Sequence, residues 1–143
     1  MGACTVTGIE FQLDGYSNNY PYNNQTVKLY HVTQDVFDSA PDISFSDMTT
    51  ADETTVWTGN FVVSSTGGWQ GITFSTNFSY NGTDNLLISW ENRDGSWQSG
   101  YGWAEMTFTG EKSSFRAEND GSYPTNSNVN EINYRANIKI HYT

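Results

Sequence analysis

The segment Tyr134-Arg135-Ala136-Asn137-Ile138-Lys139-Ile140-His141-Tyr142 alternates apolar and polar side chains over its second half. A period of two belongs to a strand with one face on a core; the apolar positions of a helix recur every three or four residues. The segment therefore predicts a strand over 134–142, with Ile138, Ile140 and Tyr142 facing in and Asn137, Lys139 and His141 facing out.

The same alternation recurs elsewhere. Ile9, Phe11 and Leu13 alternate with Gly8, Glu10 and Gln12, and Val27, Leu29 and His31 alternate with Lys28 and Tyr30. Further strands are predicted over 55–63, 69–75, 85–92, 103–109 and 113–118. Residues 15–25 read as turn chemistry throughout, and residues 33–54 as a long acidic connection. Gly67-Gly68, Asn81-Gly82-Thr83-Asp84 and Asp120-Gly121 offer the positive φ angles of tight turns. About eight short strands at this spacing predict an all-β fold, a two-sheet antiparallel β-sandwich of the jelly-roll kind. No internal repeat is visible.

The 143 residues fit a single domain, 1–143, long enough to bury a core without disulfides. The pattern of strands starts almost at once after Met1-Gly2-Ala3, without a basic start, an apolar signal core or a membrane-length apolar run. We therefore expect a module excised from a larger multidomain protein, monomeric by itself and not inserted in a membrane. Cys4 is the single cysteine, which excludes an intrachain disulfide and a site built on several thiolates. Six basic against 16 acidic residues give a net charge of −10, which repels phosphate backbones and argues against nucleic acid.

The run Gly68-Trp69-Gln70-Gly71-Ile72-Thr73-Phe74, the aromatic pair Phe78 and Tyr80, and Asn81-Gly82-Thr83-Asp84-Asn85-Leu86-Leu87-Ile88 together resemble β-sandwich modules of large secreted bacterial surface proteins. The family is the jelly-roll adhesin modules, similar to the cleaved-adhesin and carbohydrate-binding domains of Bacteroidetes-type secreted proteins. Thr26-Val27-Lys28-Leu29-Tyr30 looks like their early strand and 134–140 like their closing one, with Ala136 where that strand usually carries Pro. The resemblance implies an extracellular or cell-surface location, a non-catalytic role in glycan or protein binding or as a spacer, and structural calcium.

The functional candidate is Asn92-Arg93-Asp94-Gly95-Ser96-Trp97-Gln98-Ser99-Gly100-Tyr101-Gly102-Trp103. Trp97 stands among neighbours too small and polar to bury an indole. Exposed, it and Tyr101 would stack on sugar faces, with Asn92, Arg93, Asp94 and Gln98 bonding hydroxyls; alternatively Trp97 folds back over the end of the sandwich. Trp57, Trp69, Trp90 and Trp103 are assigned to packing or to its rim. Oxygen-rich loops suit calcium, with Asp14, Asp35, Asp38, Glu118 and Asp120 as candidate ligands, although none has EF-hand spacing. A solvated acidic surface is the competing explanation.

Two other readings stay open. The same rings could form a protein interface in an adhesin, or a carboxylate pair among Glu91, Glu105, Glu111 and Glu118 could act in a small glycoside hydrolase, which needs two carboxyls about 5 to 10 Å apart. His31 and His141 lie in strands and no serine sits in a nucleophile elbow, so a catalytic triad is not expected. The sequons at Asn24, Asn77 and Asn81 are expected from an Asn- and Thr-rich composition alone.

Overall fold

A computed structural model of the chain describes residues 1–15, 19, 21–33, 35, 53–95, 104–117 and 129–143. Among these are ten strands and no helix. They are β1 (Cys4–Leu13), β2 (Pro21–Val32), β3 (Thr54–Val62), β4 (Gly68–Tyr80), β5 (Asn85–Asn92), β6 (Met106–Phe108), β7 (Ser114–Ala117), β8 (Val129–Ile132), β9 (Tyr134–Ala136) and β10 (Ile138–Tyr142). Every pairing is antiparallel. One three-stranded sheet has the order β10-β1-β4 and another β3-β2-β5, and two ribbons pair β6 with β9 and β7 with β8.

The alternation predicted for β1 and β2 is what builds the core. Val6, Ile9, Phe11 and Leu13 of β1 join Val27 and Leu29 of β2, Val56 and Phe61 of β3, Val63, and Phe74 and Phe78 of β4 in one buried cluster. Both three-stranded sheets thus turn an apolar face to the same core. Each such side chain contributes about 1.5–3 kcal/mol when removed from water. Trp90 of β5 bridges the sheets, its ring set edge-on against Phe11 at 5.4 Å and Phe61 at 5.0 Å. Cys4, half-buried at the start of β1, packs against the same cluster opposite Tyr80.

One irregularity shapes β4. Val6 pairs with Phe78 but Gly8 pairs with Thr73, so residues 74–77 have no partner on β1. Within that excursion the Ser75 hydroxyl donates to the carbonyl of Val56 on β3 at 3.1 Å, joining the edge strands of the two sheets. Farther along, β1 and β4 approach so closely that a Cβ on Gly71 would stand 1.8 Å from the Ile9 carbonyl oxygen. Only glycine fits there.

Several boundaries differ from the sequence reading. Residues 21–25 are strand rather than turn, because Tyr22 pairs with Phe61 and Gln25 with both Gly59 and Asn92. The predicted strand 69–75 extends to Tyr80, where Phe78 returns to the core. The predicted strand 134–142 is two strands serving different partners, β9 on β6 and β10 on β1. Asn137 makes the switch: its N–H donates to the Glu105 carbonyl at 2.9 Å while its own carbonyl accepts from Gln12 at 3.0 Å. Ile138 and Ile140 face the core as expected, but Tyr142 is 58 % exposed at the end of β10. The partner of β7, strand β8, had no periodic signal.

Candidate functional site

The aromatic loop springs from the end of β5, and its first residues lie among the described ones. Gln25 of β2, 2 % exposed, organises this corner. Its amide oxygen accepts the Trp90 indole N–H at 2.8 Å, and its amide nitrogen donates to Asn92 Oδ1 and to the Asn23 carbonyl, both at 2.7 Å. Asn92 Oδ1 also accepts from the Asp94 N–H at 3.1 Å, and Asp94 Oδ2 accepts from the Asn23 N–H at 2.8 Å. The Arg93 N–H donates to the Asn24 carbonyl at 3.3 Å. A buried primary amide satisfied on both sides is a rigid anchor. Gly95, the last described residue of this stretch, takes a φ of +75° that favours glycine.

Asn92, Arg93 and Asp94 are therefore brought together as anchoring groups, each bonded to other groups of the protein. Trp97, Gln98 and Tyr101 lie outside the described residues, as does Trp103.

Beside this root runs an ion network on the face of β3-β2-β5 turned away from the core. Glu91, 6 % exposed, meets the Lys28 ammonium at 3.0 Å and the Arg93 guanidinium at 2.8 Å, with a further bond from Arg93 Nε at 2.9 Å. Lys28 also meets Glu53 at 3.0 Å, and Glu53 accepts the Tyr30 hydroxyl at 3.1 Å. Burial would draw the Lys28 pKa down, but the hydrogen bonds and charges of Glu53 and Glu91 outweigh it and hold the ammonium above its ordinary value of 10.5. Both Glu91 oxygens are thus engaged, Oε1 by Lys28 and Oε2 by Arg93. Glu105 and Glu111 are exposed, and Glu118 lies outside the described residues.

The proposed calcium ligands are scattered or out of view. Asp14 follows β1, while Asp35 accepts the Asn85 amide at 2.7 Å; Asp38, Glu118 and Asp120 lie outside the described residues. Among the described residues no three His, Cys, Asp or Glu side chains are grouped as a metal site requires. The Asn81 turn is closed by its own side chain: Oδ1 accepts the Thr83 and Asp84 N–H groups at 3.0 Å, and Nδ2 donates to Asp84 at 2.7 Å. His31 lies against Phe78 at 4.7 Å between ring centroids, its Nε2 accepting the Asn81 N–H at 3.1 Å.

Trp57 and Trp90 pack on the core as assigned, but Trp69 does not. Its pairing with Gln12 puts it on the outer face of β10-β1-β4, 41 % exposed, with the Lys139 ammonium 4.1 Å from the ring centroid. The signal was present in the period of two: Ile72 and Phe74 face in, so residue 69 faces out. A second apolar group, Met106, Phe108 and Tyr134, lies exposed on the β6–β9 ribbon, with Phe108 and Tyr134 edge-on at 5.2 Å.

No protein-family model matches this chain, and no curated protein or solved structure matches it.

Proposed function

We propose that this chain is a jelly-roll β-sandwich module of a larger extracellular protein, adhesin-like and non-catalytic, which binds carbohydrate through the loop that leaves β5. The observation that carries the reading is the hydrogen-bonded root of that loop, where Gln25, Asn92, Asp94 and Asn23 fix the chain entering it. A recognition loop on a rigid base loses less entropy on binding. In this reading Trp97 and Tyr101 stack on pyranose faces and Gln98 bonds a hydroxyl, while Asn92, Arg93 and Asp94 hold the loop in place. With both Glu91 oxygens engaged by Lys28 and Arg93, neither is offered to a substrate, which supports a binding role over hydrolysis. Calcium enters the proposal as a structural ion in the acidic loops.

The test is a glycan array probed with the wild type and Trp97→Ala, after both are checked for folding, with calcium and with chelator. Binding by the wild type that falls at least tenfold in the variant is the expected result; a folded wild type that binds no glycan overturns it. The exposed strip of Met106, Phe108 and Tyr134 favours a second reading, a protein-binding or spacer module, because apolar side chains grouped on a surface suit a protein partner.

A further inference from the structure

We infer that the outer face of β10-β1-β4 is a second glycan-binding surface, a shallow platform for a neutral pyranose chain with Trp69 as its stacking ring. The inference takes from the proposed function only that the ligand is a glycan; it needs nothing from the β5 loop.

The platform follows from the registers. Gln12 stands opposite Trp69, Glu10 opposite both Gly71 and Lys139, and Gly8 opposite Thr73 and His141. The indole, 41 % exposed, is therefore followed along the sheet by two positions without side chains, the half-buried Gly71 and, beneath its neighbours, the buried Gly8. Those glycines are fixed by the close approach of the backbones, since a Cβ at Gly71 or Gly8 would fall 1.8 Å or 2.7 Å from a carbonyl oxygen of the neighbouring strand. The result is a flat ring beside a low floor, bordered by the charged Glu10 and Lys139, the imidazole of His141 and the amide of Gln12.

Within the border the Gln12 amide oxygen already accepts from Asn137 Nδ2 at 3.1 Å, whereas the charged groups are loosely paired. Glu10 stands 3.9 Å from the Lys139 ammonium and 3.5 Å from His141, both beyond good hydrogen-bond distance. Glu10 can accept from a hydroxyl and Lys139 can donate to one without giving up a strong bond. The Lys139 ammonium, 4.1 Å from the ring centroid, covers one face of the indole as a cation does on an electron-rich ring, and its flexible stem lets it swing aside. Polarised C–H groups on one face of a pyranose meet the same surface, with Lys139 moving from the ring to a sugar hydroxyl. Donors and acceptors of both signs, on a chain of net charge −10, fit an uncharged sugar and disfavour a polyanion.

The experiment is a ¹⁵N NMR titration of the wild type with cellohexaose, xylohexaose and mannohexaose at millimolar concentration, with the tryptophan indole resonances assigned. Shifts of the Trp69 indole and the Gly71 and Lys139 amides with at least one sugar, weakened at least tenfold in affinity by Trp69→Ala, are expected. Shifts at Trp69 without any at Trp97 leave the platform standing and remove the loop from the binding site. Shifts confined to Trp97 and Tyr101 overturn the platform and leave the loop reading intact. No shift with any of the three sugars overturns the platform outright. Because the shift map is read on the wild type, misfolding of the variant cannot hide the answer.

Discussion

Lys28 is held between two carboxylates, Glu53 and Glu91, at 3.0 Å each. Its pKa is raised, so the folded state holds this proton more tightly than the unfolded chain does. The resulting stability is fully present below the unfolded lysine value and is lost as pH rises through the folded one. Urea midpoints measured from pH 8 to 12 should therefore fall in the alkaline range above 10.5 more steeply for the wild type than for Lys28→Met. Parallel curves for the two proteins would contradict this. The comparison with Lys28→Met separates this group from every other alkaline effect on the chain. Nothing local in the sequence marks this network. Glu53, Lys28 and Glu91 are distant in the chain, and only the pairing of β2 with β3 and β5 brings them together.

At the scale of elements, the close contact of β1 and β4 depends on the absence of one atom. Replacing Gly71 by Ala sets a methyl 1.8 Å from the Ile9 carbonyl oxygen, and backbone cannot yield as a flexible side chain can. Gly71→Ala should cost about 3 kcal/mol or prevent folding. The check is the denaturant midpoint, and a loss below about 1 kcal/mol would show that the strands separate easily. This scale also shows what alternation tells and what it omits. The inward residues of β1 and β2, and Ile138 and Ile140 of β10, are legible because period two fixes which face a residue occupies. Partner choice is not: the step from β9 to β10 at Asn137 leaves the alternation nearly unbroken. Residues 21–25 read as a turn because Pro, Asn and Tyr suggest one, yet pairing on both sides of Gln25 overrides that local preference. The outward position of Trp69 is legible by parity with Ile72 and Phe74, but its place after the Gly pair, matching a structural Trp of the adhesin-type modules it resembles, argues for packing. Asn92, Arg93 and Asp94 stand out in the sequence as hydroxyl-binding candidates, whereas their bonds within the protein come from pairings the sequence does not display; Gln25, which holds this corner, gives no signal as a lone polar residue on the core side.

For the molecule as a whole, 16 acidic residues against six basic ones mean that folding gathers like charges. Self-repulsion of this kind is screened by salt, with a Debye length of about 10 Å at 0.1 M. Raising NaCl from about 20 mM to about 500 mM should lift the melting midpoint by about 2–4 °C. A midpoint that falls instead would mean that screening of the Lys28, Glu91 and Arg93 contacts outweighs relief of the net charge. The half-buried sulfur of Cys4 has a consequence in time rather than energy. As the chain's single thiol, seated against the core where β1 begins, it is slowed toward an alkylating reagent while that end stays closed. One adduct mass, followed over minutes to hours, would thus act as a clock for the unzipping of β1 from β4 at Tyr80, separate from the melting of the whole domain.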